Sequence, residues 1–189
     1  MRSTLLPFSP PSVGDEEIDE VAATLRGEWL TTGPRTQHFE RVFAERVESS
    51  GALAVSSGTA AMQVALAATG IGPGDEVITT TMTFCATAHV AHHAGARPVI
   101  VDVEADTLNI DPAAIERAIT PKTRAIMPVH LHGHPAEMNT DPGARACARP
   151  GRHRGCRTCV AGALSRSACR QPRLAVRVQL LRDEEPDDR

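Results

Sequence analysis

The stretch "PRTQHFERVFAERVES" places Phe39, Val42, Phe43 and Val47 at the three- and four-residue spacing of one helical face. Before it, "DEEIDEVAATLRG" reads as a helix that Ser12 or Asp15 caps and Gly27 ends, with acidic residues in the first turn where the helix dipole favours them. "ALAVSS" reads as a short buried strand, and "GTAAMQVALAATG" as a helix stopped by Gly70. The same alternation continues with "GPGDEVITT" as a turn and strand, "FCATAHVAHHAGA" as a helix and "RPVIVDV" as a strand. "DPAAIERAI" is a helix with Pro112 at its start, and "TRAIMPVHLHG" another strand.

Strands alternating with helices predict an α/β fold, a mostly parallel sheet covered by helices on both faces. Ligands of such sheets lie at the carboxyl ends of the strands, which directs attention to the loops after "AVSS", "ITT" and "VDV". Beyond Met138 the periodicity fails, and "DPGARACARPGRHRGCRTCVAGALSRSACRQPRLAVR" reads as a disordered tail or linker.

Composition sharpens that boundary. Residues 1–140 hold eight of the nineteen arginines, the single lysine (Lys122) and one cysteine, Cys85; the last 49 residues hold eleven arginines and four cysteines, Cys147, Cys156, Cys159 and Cys169. The chain therefore divides into an ordered domain, 1–138, and an unrelated tail, 139–189. A net charge of -3 offers no general attraction to nucleic acid or membrane, and no apolar run approaches the roughly 20 residues of a membrane span. The opening "MRSTLLPFSPPSVGDEE" lacks the apolar core and cleavage site of a signal peptide, so a cytoplasmic protein is expected.

"AVSSGTAAM" carries the most chemistry. A strand would end there, Gly58 permits a tight approach, and Thr59, Ala60 and Ala61 open a helix whose free N–H groups can cradle a phosphate, with Ser56, Ser57 and Thr59 adding hydroxyls. It is neither a P-loop nor a dinucleotide fingerprint, and it can equally be a structural turn. Phe84 in "TTTMTFCATAHV" should lie near the same sheet edge, as a stacking platform for a flat ring or as a core residue. His130, His132 and His134 would share one face if "HLHGH" were extended, a possible metal arrangement, but a turn at the strand end is the better reading. His89, His92 and His93 have helical spacing without an acidic partner, and Cys156-Arg-Thr-Cys159 lacks the second pair of a zinc site, so no metal is expected.

"GEWLTTGPRTQHFE", "AVSSGTAAMQVAL", "GPGDEVITTTMTFCATA", "GARPVIVDVEADTLNID" and "AIERAITPKTRAIMPVHLHGHPAEM" occur in an order that resembles the DegT/DnrJ/StrS aminotransferases, over about residues 5–138. The resemblance implies an aspartate-aminotransferase fold, pyridoxal 5'-phosphate (PLP) as cofactor, and amination of keto-sugars carried on nucleotides, most like the branch that makes 4-amino-4-deoxy-L-arabinose. It also implies a homodimer with glutamate as amino donor. On the same ground Gly58, Thr59 and Ala60 match the phosphate-binding turn, Phe84 the aromatic that stacks on the pyridine ring, and Trp29, Thr31 and Thr32 a segment near the sugar nucleotide.

Two parts of the pattern have no match. The family's aspartate, which pairs with the pyridine nitrogen, lies in a strand reading roughly "VIEDAAHA", and the lysine that holds the cofactor in "FSFYATKNLTTGEGG"; neither string occurs. Lys122 falls where the family has an ordinary surface residue. A displaced reading frame accounts for the missing lysine segment. Codons permitted for Val178 to Arg189, read one nucleotide forward, spell Phe-Ser-Phe-Tyr-Ala-Thr-Lys-Asn-Leu-Thr-Thr, and the lysine codon straddles Glu184 and Glu185. The expectation is a family member whose frame is lost between Met138 and Asp141, leaving an inactive fragment with no catalytic residue and weak or absent PLP binding. Two other readings are a binding module with a basic, cysteine-bearing tail and a lysine-independent sugar dehydratase.

Overall fold

The computed structural model describes residues 11–27, 29–47, 49–137, 158–163 and 175–180. Two compact units divide at Ala54 and Val55.

The first unit carries two helices, α1 (Asp15–Arg26) and α2 (Pro34–Arg46). The α1 cap is Gly14, not Ser12 or Asp15: its N–H donates to the Glu17 carboxylate at 2.7 Å. Asp15, Glu16 and Glu17 fill the first turn, and Gly27 ends the helix as expected. Helix α2 starts at Gly33 with Pro34 in its first turn. Phe39 and Phe43 stack at 5.7 Å, Arg35 pairs with Glu20, and Glu40 accepts the Ala54 N–H at 2.8 Å.

The second unit is built on a sheet of order β2-β1-β3-β4-β5. Its parallel centre comprises β1 (Glu76–Thr80), β2 (Arg97–Val101) and β3 (Thr123–Met127). Helix α3 (Gly58–Ala68) leads into β1, and α4 (Ala86–His93) and α5 (Pro112–Ala118) connect the three strands. Alternate strand residues face opposite layers. Val77, Ala125 and Met127 pack with Met62, Leu66 and Val90 of α3 and α4. Ile78, Val101 and Ile126 pack with Ala114 and Ile115 of α5. That is the two-sided arrangement the pattern predicts. Thr69 caps α3 through its hydroxyl, and Gly70 follows at φ 69°, the left-handed geometry that ends a helix most cheaply with glycine.

Three expectations change. "ALAVSS" is not a strand: residues 51–55 are irregular, with no ladder partner among the described residues, and an apolar run becomes a strand only where another strand accepts its hydrogen bonds. The strand over "TRAIMPVHLHG" stops at Met127, and Leu131–Gly133 form a 3-10 turn with His132 at φ 50°, so the three histidines do not share an extended face. The stretch past Met138 contributes two strands where no element was expected. These are β4 (Thr158–Ala163), parallel to β3 through Ala125 and Ile126, and β5 (Ala175–Leu180), antiparallel to β4. The rest of 139–189 lies outside the described residues. No helix among the described residues is long and apolar enough to cross a membrane.

Candidate functional site

Helix α3 packs in the same layer as β1 and leads through residues 69–75 into the start of that strand. Eleven residues at about 1.5 Å each carry it back along the strand, so its N-terminus lies toward the carboxyl edge of the sheet. Ser57 caps it: the Oγ accepts the Ala60 N–H at 3.1 Å and the carbonyl accepts the Ala61 N–H at 3.0 Å. Ala60, matched to the phosphate turn, therefore already uses its N–H. The Gly58 and Thr59 N–H groups have no acceptor among the described residues. Two open donors and the positive end of a helix dipole, roughly half a unit charge, offer what an anion such as a phosphate needs.

Phe84 stands in the loop between β1 and α4. Thr81 N–H donates to the Val101 carbonyl at 3.1 Å, and the Thr83 and Thr87 hydroxyls meet at 2.7 Å, bracing that loop. The ring is 77% exposed, so Phe84 is not a core residue in this chain. A braced loop that holds an aromatic face in the open presents a platform for a flat ring.

The turn after β3 is tightly organised. His130 is buried, and its Nδ1 accepts the Ala136 N–H at 2.9 Å; burial lowers its pKa below the ordinary histidine value. Asn109, from the loop after β2, donates to the His134 and Pro135 carbonyls and accepts from the Leu131 N–H. Pattern reading missed Asn109, because a polar residue bonding 22 to 26 positions away leaves no periodic trace.

Trp29, Thr31 and Thr32 belong to the first unit and form one turn. The Trp29 indole N–H donates to the Thr32 carbonyl at 3.1 Å. Its ring lies over buried Gly33, where a Cβ would come within 2.4 Å of it. Close approach, not a special dihedral, is what requires glycine here. Trp29 thus closes its own turn, leaving the Thr31 and Thr32 side chains exposed.

Lys122 sits at the opposite, amino edge of the sheet. Its carbonyl accepts the Glu76 N–H at 2.8 Å, its own N–H donates to the Thr120 hydroxyl, and it lines a cleft with Gly74, Glu76 and Arg97. The five-residue β3 that follows puts about 16 Å of strand between it and the carboxyl edge. His89, His92 and His93 are exposed on α4, and Cys85 is a free, exposed thiol. No group of three metal-ligating side chains comes together among the described residues. Cys156 lies outside them.

These residues fit two parts of PLP. The open Gly58 and Thr59 donors suit the phosphate, and Phe84 suits the ring. The chain's lysine does not fit a covalent anchor, because it is on the wrong edge.

Comparison with known proteins places the chain among aminotransferases in sequence and fold. Residues 11–141 match the DegT/DnrJ/EryC1/StrS aminotransferase family. The spore coat polysaccharide biosynthesis protein SpsC of Bacillus subtilis is 51% identical over 138 residues, 73% of this chain and 36% of SpsC. Spr1654 of Streptococcus pneumoniae, a candidate sugar aminotransferase solved in apo, PMP and PLP forms, is 43% identical with a TM-score of 0.69. That match covers 71% of this chain and 34% of Spr1654. The 3-amino-5-hydroxybenzoic acid synthase aligns with a TM-score of 0.67 at 40% identity, over 73% of this chain and 36% of the synthase. The chain spans about a third of the length of these relatives. By its sequence and its fold, this chain belongs to the DegT/DnrJ/EryC1/StrS aminotransferase family.

Proposed function

We propose that the chain carries the phosphate- and ring-holding part of a PLP-dependent sugar aminotransferase site, and that the 189 residues alone do not complete it. The supporting observation is the pair of open N–H groups at Gly58 and Thr59, at the sheet edge where ligands of parallel sheets lie. When bound, PLP supplies an electron sink through which an amino group passes from a donor to a keto-sugar. Gly58 and Thr59 hold its phosphate, and Phe84 covers one face of its ring. In the complete family pattern the acceptor is a nucleotide-linked sugar, the donor glutamate and the unit a cytoplasmic homodimer.

Among the described residues no group is placed to hold the cofactor covalently or to move the proton that transamination requires. Lys122 is remote, and β4, the strand that follows β3 in the sheet, carries no acidic residue to pair with the ring nitrogen. Loss of frame between Met138 and Asp141 accounts for the missing lysine segment. Codons permitted for Val178–Arg189 spell the lysine surroundings in the neighbouring frame, and β5 contains the first of these residues.

Equilibrium dialysis tests the cofactor reading. The chain should bind PLP at least about tenfold tighter than unphosphorylated pyridoxal, the contribution of two charge-assisted hydrogen bonds and a helix dipole. Equal affinities refute it. The nucleotides from codon 138 onward test the frame account separately: failure to spell the lysine segment one position forward overturns it.

A further inference from the structure

Three of the chain's eight histidines stand on one short helix and have no task in the reading above. His89, His92 and His93 lie exposed on α4, while Ala86, Thr87, Val90 and Ala91 of the same helix are buried. Val90 packs with Leu66 and Val77 in the core, so the backbone that carries the histidines is held firmly. Residues four apart on a helix are neighbours. The His89 and His93 ring centroids lie 6.2 Å apart, with the planes inclined by 34°. A transition metal about 2.1 Å from one nitrogen of each ring lies roughly 3.2 Å from each centroid, so two rings within about 6.4 Å can share one ion. Among the described residues neither side chain is tied by a hydrogen bond or an ion pair, and both can turn to bring the angle at the ion towards tetrahedral. His92 and His93 are 6.4 Å apart, but adjacent side chains leave a helix about 100° apart and do not converge. His92 instead lines the amino-edge cleft with Asp75 and Arg97.

We propose that His89 and His93 form a two-histidine surface site for a divalent transition-metal ion of the zinc, nickel and copper class. The spacing alone, with no acidic residue in the turn, predicts no metal; two imidazoles this close chelate without one, and water completes the ion's coordination. Imidazole nitrogen suits these ions, whereas Mg²⁺ and Ca²⁺ take oxygen ligands and do not compete. The bound ion ties together the two turns of α4, the helix that follows the Phe84 loop. The site stands apart from the cofactor reading and does not depend on it.

The test counts Zn²⁺ bound to the reduced full chain by equilibrium dialysis in wild type, His89→Gln, His93→Gln, His92→Gln and Cys85→Ala. All four positions are exposed, so each variant should fold as wild type does. Cysteine thiolates also take zinc, and the readout is therefore the difference between chains. Wild type should bind one equivalent that His89→Gln and His93→Gln lose or hold at least about tenfold more weakly, because the second imidazole acts at the millimolar effective concentration of a short link. His92→Gln and Cys85→Ala should match wild type, and excess Mg²⁺ should displace nothing. Equal binding in wild type and both pair variants overturns the proposal. So does loss of the same equivalent in His92→Gln or Cys85→Ala, which assigns the ion to a different set of ligands. A second measurement needs no variant: the ring carbon-bound proton resonances of His89 and His93 should shift together during a Zn²⁺ titration and saturate at the same concentration. Rings that stay unmoved, or that saturate separately, also overturn it.

Discussion

Replacing Asn109 with alanine removes the post that holds the turn after β3. The side chain makes three hydrogen bonds, to Leu131, His134 and Pro135, across sequence separations of 22, 25 and 26 residues. Each contributes about 1 kcal/mol net, and truncation also leaves one N–H and two carbonyls to find other partners in a largely buried turn. The expected loss is about 3 kcal/mol, a large fraction of the roughly 5–15 kcal/mol that stabilises a domain. Urea unfolding followed by far-UV circular dichroism measures it, and hydrogen exchange at the Leu131 and Ala136 amides locates it. Asn109→Asp separates hydrogen bonding from shape. Its first oxygen still accepts from Leu131, but its second faces two carbonyls instead of donating to them. Burial and those dipoles raise the new carboxyl's pKa above its unfolded value, so this variant should recover stability as pH falls below that raised pKa. A cost below about 0.5 kcal/mol for Asn109→Ala, or an Asn109→Asp variant as stable as wild type at neutral pH, refutes the assignment.

Three further outcomes follow from the geometry. Gly33 has ordinary extended dihedrals, so Gly33→Ala is opposed only by its Cβ meeting the Trp29 ring; it should displace the indole, cost about 1–2 kcal/mol and change the emission of the chain's sole tryptophan, which no tyrosine obscures. Unchanged emission counts against the packed turn. Phe84→Ala should leave stability within about 0.5 kcal/mol, since the ring is exposed, while weakening PLP binding about two- to tenfold; a large loss of stability with unaltered affinity would return Phe84 to a structural role. His130 has a folded-state pKa lowered by burial, so the stability it contributes is present above its unfolded pKa and is lost as pH falls through the folded one. The urea midpoint should therefore drop on acidification from about pH 7.5 to 5.5, across the unfolded histidine pKa near 6.5, more in wild type than in His130→Asn; parallel pH profiles contradict this.

Local signals carried most of the fold. Helices α3 and α5 announced themselves through Gly70 and Pro112, because caps and stops act within a turn. The parallel centre followed from strands separated by helices. "ALAVSS" misled for the opposite reason: apolar composition is local, whereas a strand needs a partner elsewhere. Strand β5, "AVRVQL", does alternate, but six residues in a proline- and arginine-rich background carry little weight. The helix start at Gly58 was legible from the motif, and Phe84, left open between core and surface, is exposed. The closure of the Trp29 turn over Gly33, and the Asn109 clamp on the His130 turn, depend on contacts that no periodicity encodes.

The central claim is that a phosphate cradle and an aromatic platform occupy one edge of the sheet while the chain's lysine occupies the other. Incubating the 189-residue chain with one equivalent of PLP, reducing with borohydride and mapping the mass by peptide tests it directly. The expected result is PLP bound reversibly, without a covalent bond, and no mass added at Lys122. Stoichiometric labelling of Lys122 would contradict it.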